Sequence, residues 1–343
     1  MDFDTIIKNI TSGLTGNAEH DIKYLQDQCE KYKDHEYGKE IMRACGRMIF
    51  DLLPQDKKDM LNLALDNDNN AIEETLKEIR FNIQERDYKK ALKISKTLVK
   101  NIEKMNMYQN DAVSEYYCFN NIFEELLFKH YNKPEKNVRY SNIPYSKIYF
   151  TYANLLFEFK KYKEAQEYLE KAIRWNPMDC NLLFEYAEIY KCTKNYDNFF
   201  ELTKNCFKCV YNSADLARCY RNLGYYFIEK GLYTVAIGCY MLSIQYDENV
   251  IAQSQLYYIH TKAPNCKCPD MKEMQVFSER YKFPIGPYDD VLSLALTYGQ
   301  KMLEDGRVDF AIFFLEIFYE LTGDKNVEEI LIDLKSHMKD KDE

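Results

Sequence analysis

The segment Leu156–Pro177, LFEFKKYKEAQEYLEKAIRWNP, carries two apolar stripes at helical spacing on either side of a polar turn at Lys160–Lys161. That pattern predicts two helices folded back on each other. Three stretches of 34 residues carry it. In Ser146–Asp179, Tyr149 stands at the fourth position, Tyr152 and Ala153 at the seventh and eighth, Ala165 at the twentieth and Ala172 at the twenty-seventh. In Ala217–Val250 the same places hold Tyr220, Leu223, Gly224, Ala236 and Ser243. Close crossing of two helices needs a small residue on each, which predicts Ala153 facing Ala165 and Gly224 facing Ala236. Pro177 lacks an amide proton and biases Asn176 away from helical angles, so it ends the second helix. Between these units, Cys180–Ser213 keeps Leu183, Tyr186, Ala187 and Tyr190 but puts Phe199 at the twentieth position, where it should push the two helices apart.

Around the three units, 146–179, 180–213 and 217–250, the pattern weakens. Residues 72–105 copy the turn and second helix, with Ala91 at the twentieth position. The span 251–291 gives helices at 249–262 and 271–281 on either side of APNCKCPD, and 292–325 keeps Tyr298, Gly299, Ala311 and Leu315. A helix over 326–339 has a polar outer side suited to cap a stack. Residues 1–70 lack the pattern and predict four short helices, near Phe3–Ile10, Ala18–Lys33, Glu36–Leu53 and Gln55–Leu65, the last opened by Pro54. A helix over 112–130 and a polar loop, Tyr131–Tyr145, precede the first full unit. Nothing alternates apolar and polar residues over a strand's length, so the class is all-α, with an N-terminal helical segment at 1–70 followed by a repeat region at 71–343.

These positions resemble the tetratricopeptide repeat (TPR) family, whose helix–turn–helix units stack into a right-handed superhelix. The resemblance implies a non-catalytic scaffold that binds a protein or peptide in a concave groove lined by the first helix of each unit. On that basis the groove residues here are Lys147, Phe150, Asn154 and Phe157, then Asn181, Phe184, Glu185 and Glu188, then Arg218, Arg221, Asn222 and Tyr225. Rings would give buried area, and amides and guanidinium groups would pair with backbone and carboxylates. Of the five positions with which co-chaperone members of the family grip a C-terminal carboxylate, Asn154 and Arg218 alone fit, and Glu185 would repel one.

Composition narrows the partner. Among 343 residues there are 30 Tyr and 20 Phe but only 8 Pro and 11 Gly, which suits long helices packed through rings. A net charge of −9 argues against nucleic acid or an anionic membrane as partner, since both call for a basic surface. No apolar run approaches the roughly 20 residues of a membrane helix. The acidic start, MDFDTIIKN, is unlike a signal peptide, and eleven scattered cysteines read as reduced thiols, so a cytoplasmic location is expected.

Candidate chemistry is sparse. Cys206 and Cys209 with Cys266 and Cys268 supply four thiolates for zinc, but Cys206 occupies the buried twenty-seventh position of its unit and Cys-x-Cys is poor zinc spacing, so no metal or cofactor is expected. Asp66–Glu74 alternates Asp66, Asp68 and Asn70 like a calcium loop, yet Ala71 replaces the turn glycine and Lys77 the bidentate glutamate; capping of a new helix by Asn69 or Asn70 is the simpler reading. No phosphate loop, nucleophile elbow or His-Glu-x-x-His is present. The leading function is therefore a scaffold for a protein or peptide. The alternative is a peptide-responsive regulator whose N-terminal segment is the effector; with nine Lys and Arg against fourteen Asp and Glu in 1–70, that segment would dock on protein and not on DNA.

Overall fold

The structure, a computed structural model, describes residues 2–105, 108–111 and 113–342, and side chains there outside 59–69 and 339–342. Local signals set most helix boundaries. Asp2 and Asn17 accept from the amides of Thr5 (2.8 Å) and His20 (3.1 Å) and so open α1 (Phe3–Ser12) and α2 (Ala18–Lys31). Helix α3 (Gly38–Leu52) follows, and Ile6, Ile7, Ile10, Leu25, Ile41, Ala44 and Cys45 form one buried cluster of these three helices. Between α1 and α2, the buried Asp21 carboxylate accepts from the amides of Thr15 (2.9 Å) and Gly16 (2.8 Å).

The helix beginning at Gln55 does not stop at Leu65: α4 runs Gln55–Gln84 without a break. Its polar stretch Asp66–Asn70 contains neither Gly nor Pro, so no backbone donor is lost and helix continues. Asn69 and Asn70 thus lie inside a helix and not at its start; the side chains of Asp66, Asp68 and Asn69 lie outside the described residues. After α5 (Tyr88–Met105), the expected helix over 112–130 is instead a strand, β1 (Ser114–Tyr117), followed by α6 (Ile122–Asn132). The Tyr131–Tyr145 loop contains β2 (Asn137–Tyr140), which pairs in parallel with β1 from Ser114↔Asn137 to Tyr117↔Tyr140. The remaining elements are α7 (Tyr145–Glu158), α8 (Tyr162–Trp175), α9 (Cys180–Cys192), α10 (Tyr196–Cys206), α11 (Ser213–Glu229), α12 (Tyr233–Tyr246), α13 (Val250–Lys262), α14 (Met271–Tyr281), α15 (Asp289–Glu304), α16 (Val308–Thr322) and α17 (Lys325–Asp342). Helices dominate, and the class is all-α. No helix among the described residues is long and apolar enough to cross a membrane.

Five helical hairpins, α4/α5, α7/α8, α9/α10, α11/α12 and α15/α16, close through one backbone device. The turn residue is left-handed in each: Arg86 (φ 62°), Lys160 (57°), Lys194 (57°), Gly231 (72°) and Gly306 (71°). The next amide reaches back to the carbonyl five residues earlier, Asp87 to Asn82, Lys161 to Leu156, Asn195 to Tyr190, Leu232 to Phe227 and Arg307 to Met302, at 2.8–3.0 Å. Such a closure satisfies carbonyls that a helix end leaves open.

The chain divides into two compact units, neither continuous in sequence: residues 1–118 with 133–176, and 119–132 with 177–343. In the first unit, α7 packs on α5 and α8, with Ala153 and Ala165 fully buried. Tyr145 stacks on Trp175 at 4.2 Å. The strand pair is tied in by Cys118, whose amide donates to the Trp175 carbonyl (2.7 Å), by Arg174 donating to the Tyr116 carbonyl (3.0 Å), and by the ion pairs Arg47–Asp111 and Arg139–Asp51.

In the second unit, Phe199 is buried with its ring edge-on to Tyr225 at 5.9 Å, and α10 is 11 residues long against 14 for α8 and α12. Gly224 meets the Tyr240 ring, one turn beyond Ala236: a Cβ there would fall 2.6 Å from a ring carbon. Gly299 makes the same kind of close approach to Leu315. The Tyr220 hydroxyl accepts from the Gly286 amide (2.6 Å) and donates to the Pro284 carbonyl (3.2 Å), which fixes the chain before α15. Helix α6 belongs here through Phe123, set against Tyr211 (5.6 Å) and Phe314 (6.0 Å).

Candidate functional site

The first helices of successive hairpins, α9 and α11, and the start of α13 enclose a concavity of about 350 Å³ in the second unit. Its lining comes from Glu188, Lys191, Arg218, Arg221, Asn222, Tyr225, Tyr240, Ile251 and Gln255. Spacing explains the convergence. Arg218, Arg221, Asn222 and Tyr225 lie three or four residues apart and so share one face of α11; Tyr240 of α12 is drawn in by the missing side chain at Gly224.

Each cation is already oriented. Arg218 donates to Glu185 at 3.0 Å, and its guanidinium lies 4.6 Å from the centre of the Phe184 ring. Arg221 donates to Asp247 (3.2 Å) and to the Ser243 hydroxyl (3.3 Å). Burial pulls the Arg221 pKa down, opposed by Asp247. Lys191 pairs with Glu188 at 3.2 Å and sits 4.5 Å over the Tyr225 ring. Burial raises the Tyr225 phenol, and its contacts with Tyr196 and Glu229 raise it further. Asn222 is 6% exposed, and its side-chain Nδ2 has no hydrogen-bond acceptor among the described residues. A buried amide donor left unpaired costs about 1–3 kcal/mol.

Eight of the twelve sequence-predicted groove residues are thus on α9 and α11, namely Asn181, Phe184, Glu185, Glu188, Arg218, Arg221, Asn222 and Tyr225, and the other four, Lys147, Phe150, Asn154 and Phe157, are on α7. Phe184 offers no area to a ligand because it is fully buried beneath Arg218. Phe150 and Asn154, half-buried on α7, belong to the first unit. Sequence reasoning left out Lys191, Tyr240, Ile251 and Gln255. Lys191 and Gln255 sit at positions 12 and 5 of their units and were legible in the repeat; Tyr240, on a second helix, was not.

The pocket offers donors, rings and one carboxylate, and its lining includes no serine, cysteine or histidine that could serve as nucleophile or base. A larger concavity, about 560 Å³ between α16 and α17, is lined by polar groups engaged with each other, Lys335 with Glu316 (2.7 Å) and Tyr319 with Glu328 (2.6 Å). The four candidate zinc cysteines are not brought together. Cys206 and Cys209 are buried, Cys206 beside Cys180 and Cys219, whereas Cys266 and Cys268 lie in the 263–270 loop. Burial raises the thiols of Cys180, Cys209 and Cys219. Among the described residues, no three His, Cys, Asp or Glu are grouped to hold a metal.

Residues 146–178 match the family model described as tetratricopeptide repeat, which identifies the α7/α8 hairpin as such a repeat. No curated protein matches the chain. Among solved structures, one similar chain is "YrrB: a TPR protein with an unusual peptide-binding site", 12% identical, covering 60% of this chain and 95% of that one at a TM-score of 0.29. Another is the "P58(IPK) TPR Domain", 10% identical, covering 95% of this chain and 85% of that one at a TM-score of 0.27.

Proposed function

We propose that this repeat protein is a non-catalytic scaffold that holds a segment of a protein or peptide partner against α9 and α11. The observation that carries the reading is Asn222: a residue of the pocket wall whose buried amide donor has no acceptor among the described residues. A bound peptide supplies acceptors of the required kind in its backbone carbonyls. Charge supports the same reading. Three cations and one carboxylate line the pocket in a chain whose net charge is −9, so an acidic segment gains from it locally. Glu185 and Asp247 hold the arginines extended until a ligand carboxylate competes for them. Tyr225 and Ile251 supply the area for an apolar anchor.

The test begins with affinity purification of the tagged chain and mass spectrometry of what co-elutes, followed by calorimetry with the purified partner. Arg218→Ala and Asn222→Ala are each expected to cost about 1–3 kcal/mol of binding where the partnered group is desolvated. If both, and Tyr225→Ala, bind like the parent while substitutions in 1–70 or in the Tyr131–Tyr145 segment abolish binding, the groove is not the site.

A further inference from the structure

Helix α13 is apolar on two opposite sides. Ala252 and Ile259 are buried, and α12 is the principal neighbour of the helix. Val250 and Tyr257, each 72% exposed, and Ile251 and Tyr258 remain in water. At about 100° per residue, Tyr257, Val250, Thr261, Ser254, Tyr258 and Ile251 fall within a sector about 120° wide, opposite Ala252 and Ile259. A sector of that width is what a helix turns toward a core, and a helix apolar all round is ordinarily enclosed.

The fold itself shows what kind of cover is missing. In the five closed hairpins, a second helix returns along the first. Here the next helix in sequence goes elsewhere: α14 lies over Gly238 of α12, where Pro269 and Met274 occupy the space a Cβ would need. Charge and area then choose among occupants. Helix α13 carries no carboxylate; just before it Asp247 is paired with Arg221 and Glu248 is exposed, while His260, Lys262 and Lys267 follow the exposed face and Asp270 is engaged in capping α14. The exposed face is narrow, built from four side chains, Val250, Ile251, Tyr257 and Tyr258, that are 41–72% exposed. That suits a single helix and not the roughly 800 Å² per partner of a standard interface between globular faces.

We propose that this face docks one amphipathic helix of a partner protein, its apolar stripe flanked by acidic residues, lying along α13 as the second helix of a hairpin. The test uses the full chain and two fluorescent peptides about 18 residues, or five turns, long, sharing a leucine stripe and flanked by glutamates in one and lysines in the other. Anisotropy should show the glutamate peptide binding at least roughly tenfold tighter than the lysine peptide. Tyr257→Glu and Val250→Lys should each weaken it by a similar factor without changing the circular dichroism, both positions being exposed. Ile251 also borders the α9/α11 pocket, but the docked helix rests on Val250, Tyr257 and Tyr258, so Arg218→Ala should leave this binding intact, which separates the face from that pocket. The proposal is overturned if neither peptide saturates, if Tyr257→Glu binds like the parent, or if sedimentation shows the parent dimerising through a contact that Tyr257→Glu abolishes.

Discussion

Replacing Lys160 by glycine should stabilise the first unit. Lys160 closes the α7/α8 turn at φ 57°, a left-handed conformation that costs a residue bearing a Cβ about 1–2 kcal/mol. Glycine removes that strain, but it loses more conformational entropy on folding, which takes back about 0.4–1 kcal/mol. The net gain is about 0.5–1 kcal/mol. Lys160→Val should act in the opposite direction by about 1 kcal/mol or more, because a β-branched residue is strongly disfavoured there. The chain provides its own reporter: Trp175, its one tryptophan, ends α8 and stacks on Tyr145 at 4.2 Å. Urea unfolding followed by tryptophan fluorescence should move the midpoint up by about 0.2–1 M for Lys160→Gly at an unchanged slope, given slopes of about 1–3 kcal/mol per molar urea. A midpoint that falls with glycine, or stays put with valine, would refute the strain argument.

The same logic predicts that Gly231→Ala destabilises by about 1 kcal/mol through its backbone alone, since nothing lies within 4 Å of the added methyl. Thermal unfolding of the second unit measures it. Gly224→Ala keeps a helical backbone but drives a methyl into Tyr240. Calorimetry should show a loss of stability when the overpacking, about 1–3 kcal/mol, outweighs the roughly 1 kcal/mol gained in helix propensity, and partner binding should weaken as Tyr240 is displaced into the pocket. The Asp21 carboxyl is held down to about 2, chiefly by the Thr15 amide. Its contribution is therefore complete above about pH 4, the unfolded range, and is lost as pH falls towards 2; Asp21→Asn should flatten that part of the stability profile. Elemental analysis of protein purified without added metal should find no stoichiometric zinc. One equivalent per chain, lost in Cys206→Ser or Cys209→Ser, would contradict the placement of those thiols.

The fold was legible where side-chain size and spacing act locally. Ala153, Ala165 and Gly224 mark close approaches that only small residues permit, and the Lys160–Lys161 turn was visible as a polar break between two stripes. It was not legible where a signal had to be weighed against one farther away. Tyr116, Tyr117, Phe119 and Phe123 mimic a helical stripe, but the first two belong to a four-residue strand whose partner lies at 137–140. Nor did Asp66–Asn70 end a helix, because polarity alone removes no hydrogen bond. At the site, sequence placed the α9 and α11 faces but not their depth. Phe184 looks like a ligand-facing ring until Arg218 is seen lying over it. Tyr240 enters the pocket only through a contact between two helices, which no periodicity within one helix reveals.

The interleaving of the two units sets a timetable for synthesis. β1 leaves the ribosome without its pairing strand, and at 5–20 residues per second about one to five seconds pass before β2 is complete. Trp175, whose carbonyl receives the Cys118 amide, comes later still. In that interval α6 is made as well, yet the aromatic groups that enclose Phe123, Tyr211 and Phe314, lie about 90 and 190 residues downstream. Hairpin repeats ordinarily mature one after another with short-range contacts. In this chain the early hairpin α4/α5 can close at once, whereas α6 stays exposed until almost the whole chain exists. A fragment ending at residue 176 would therefore carry Phe123 as a surface aromatic, and one beginning at residue 177 would lack it from its core.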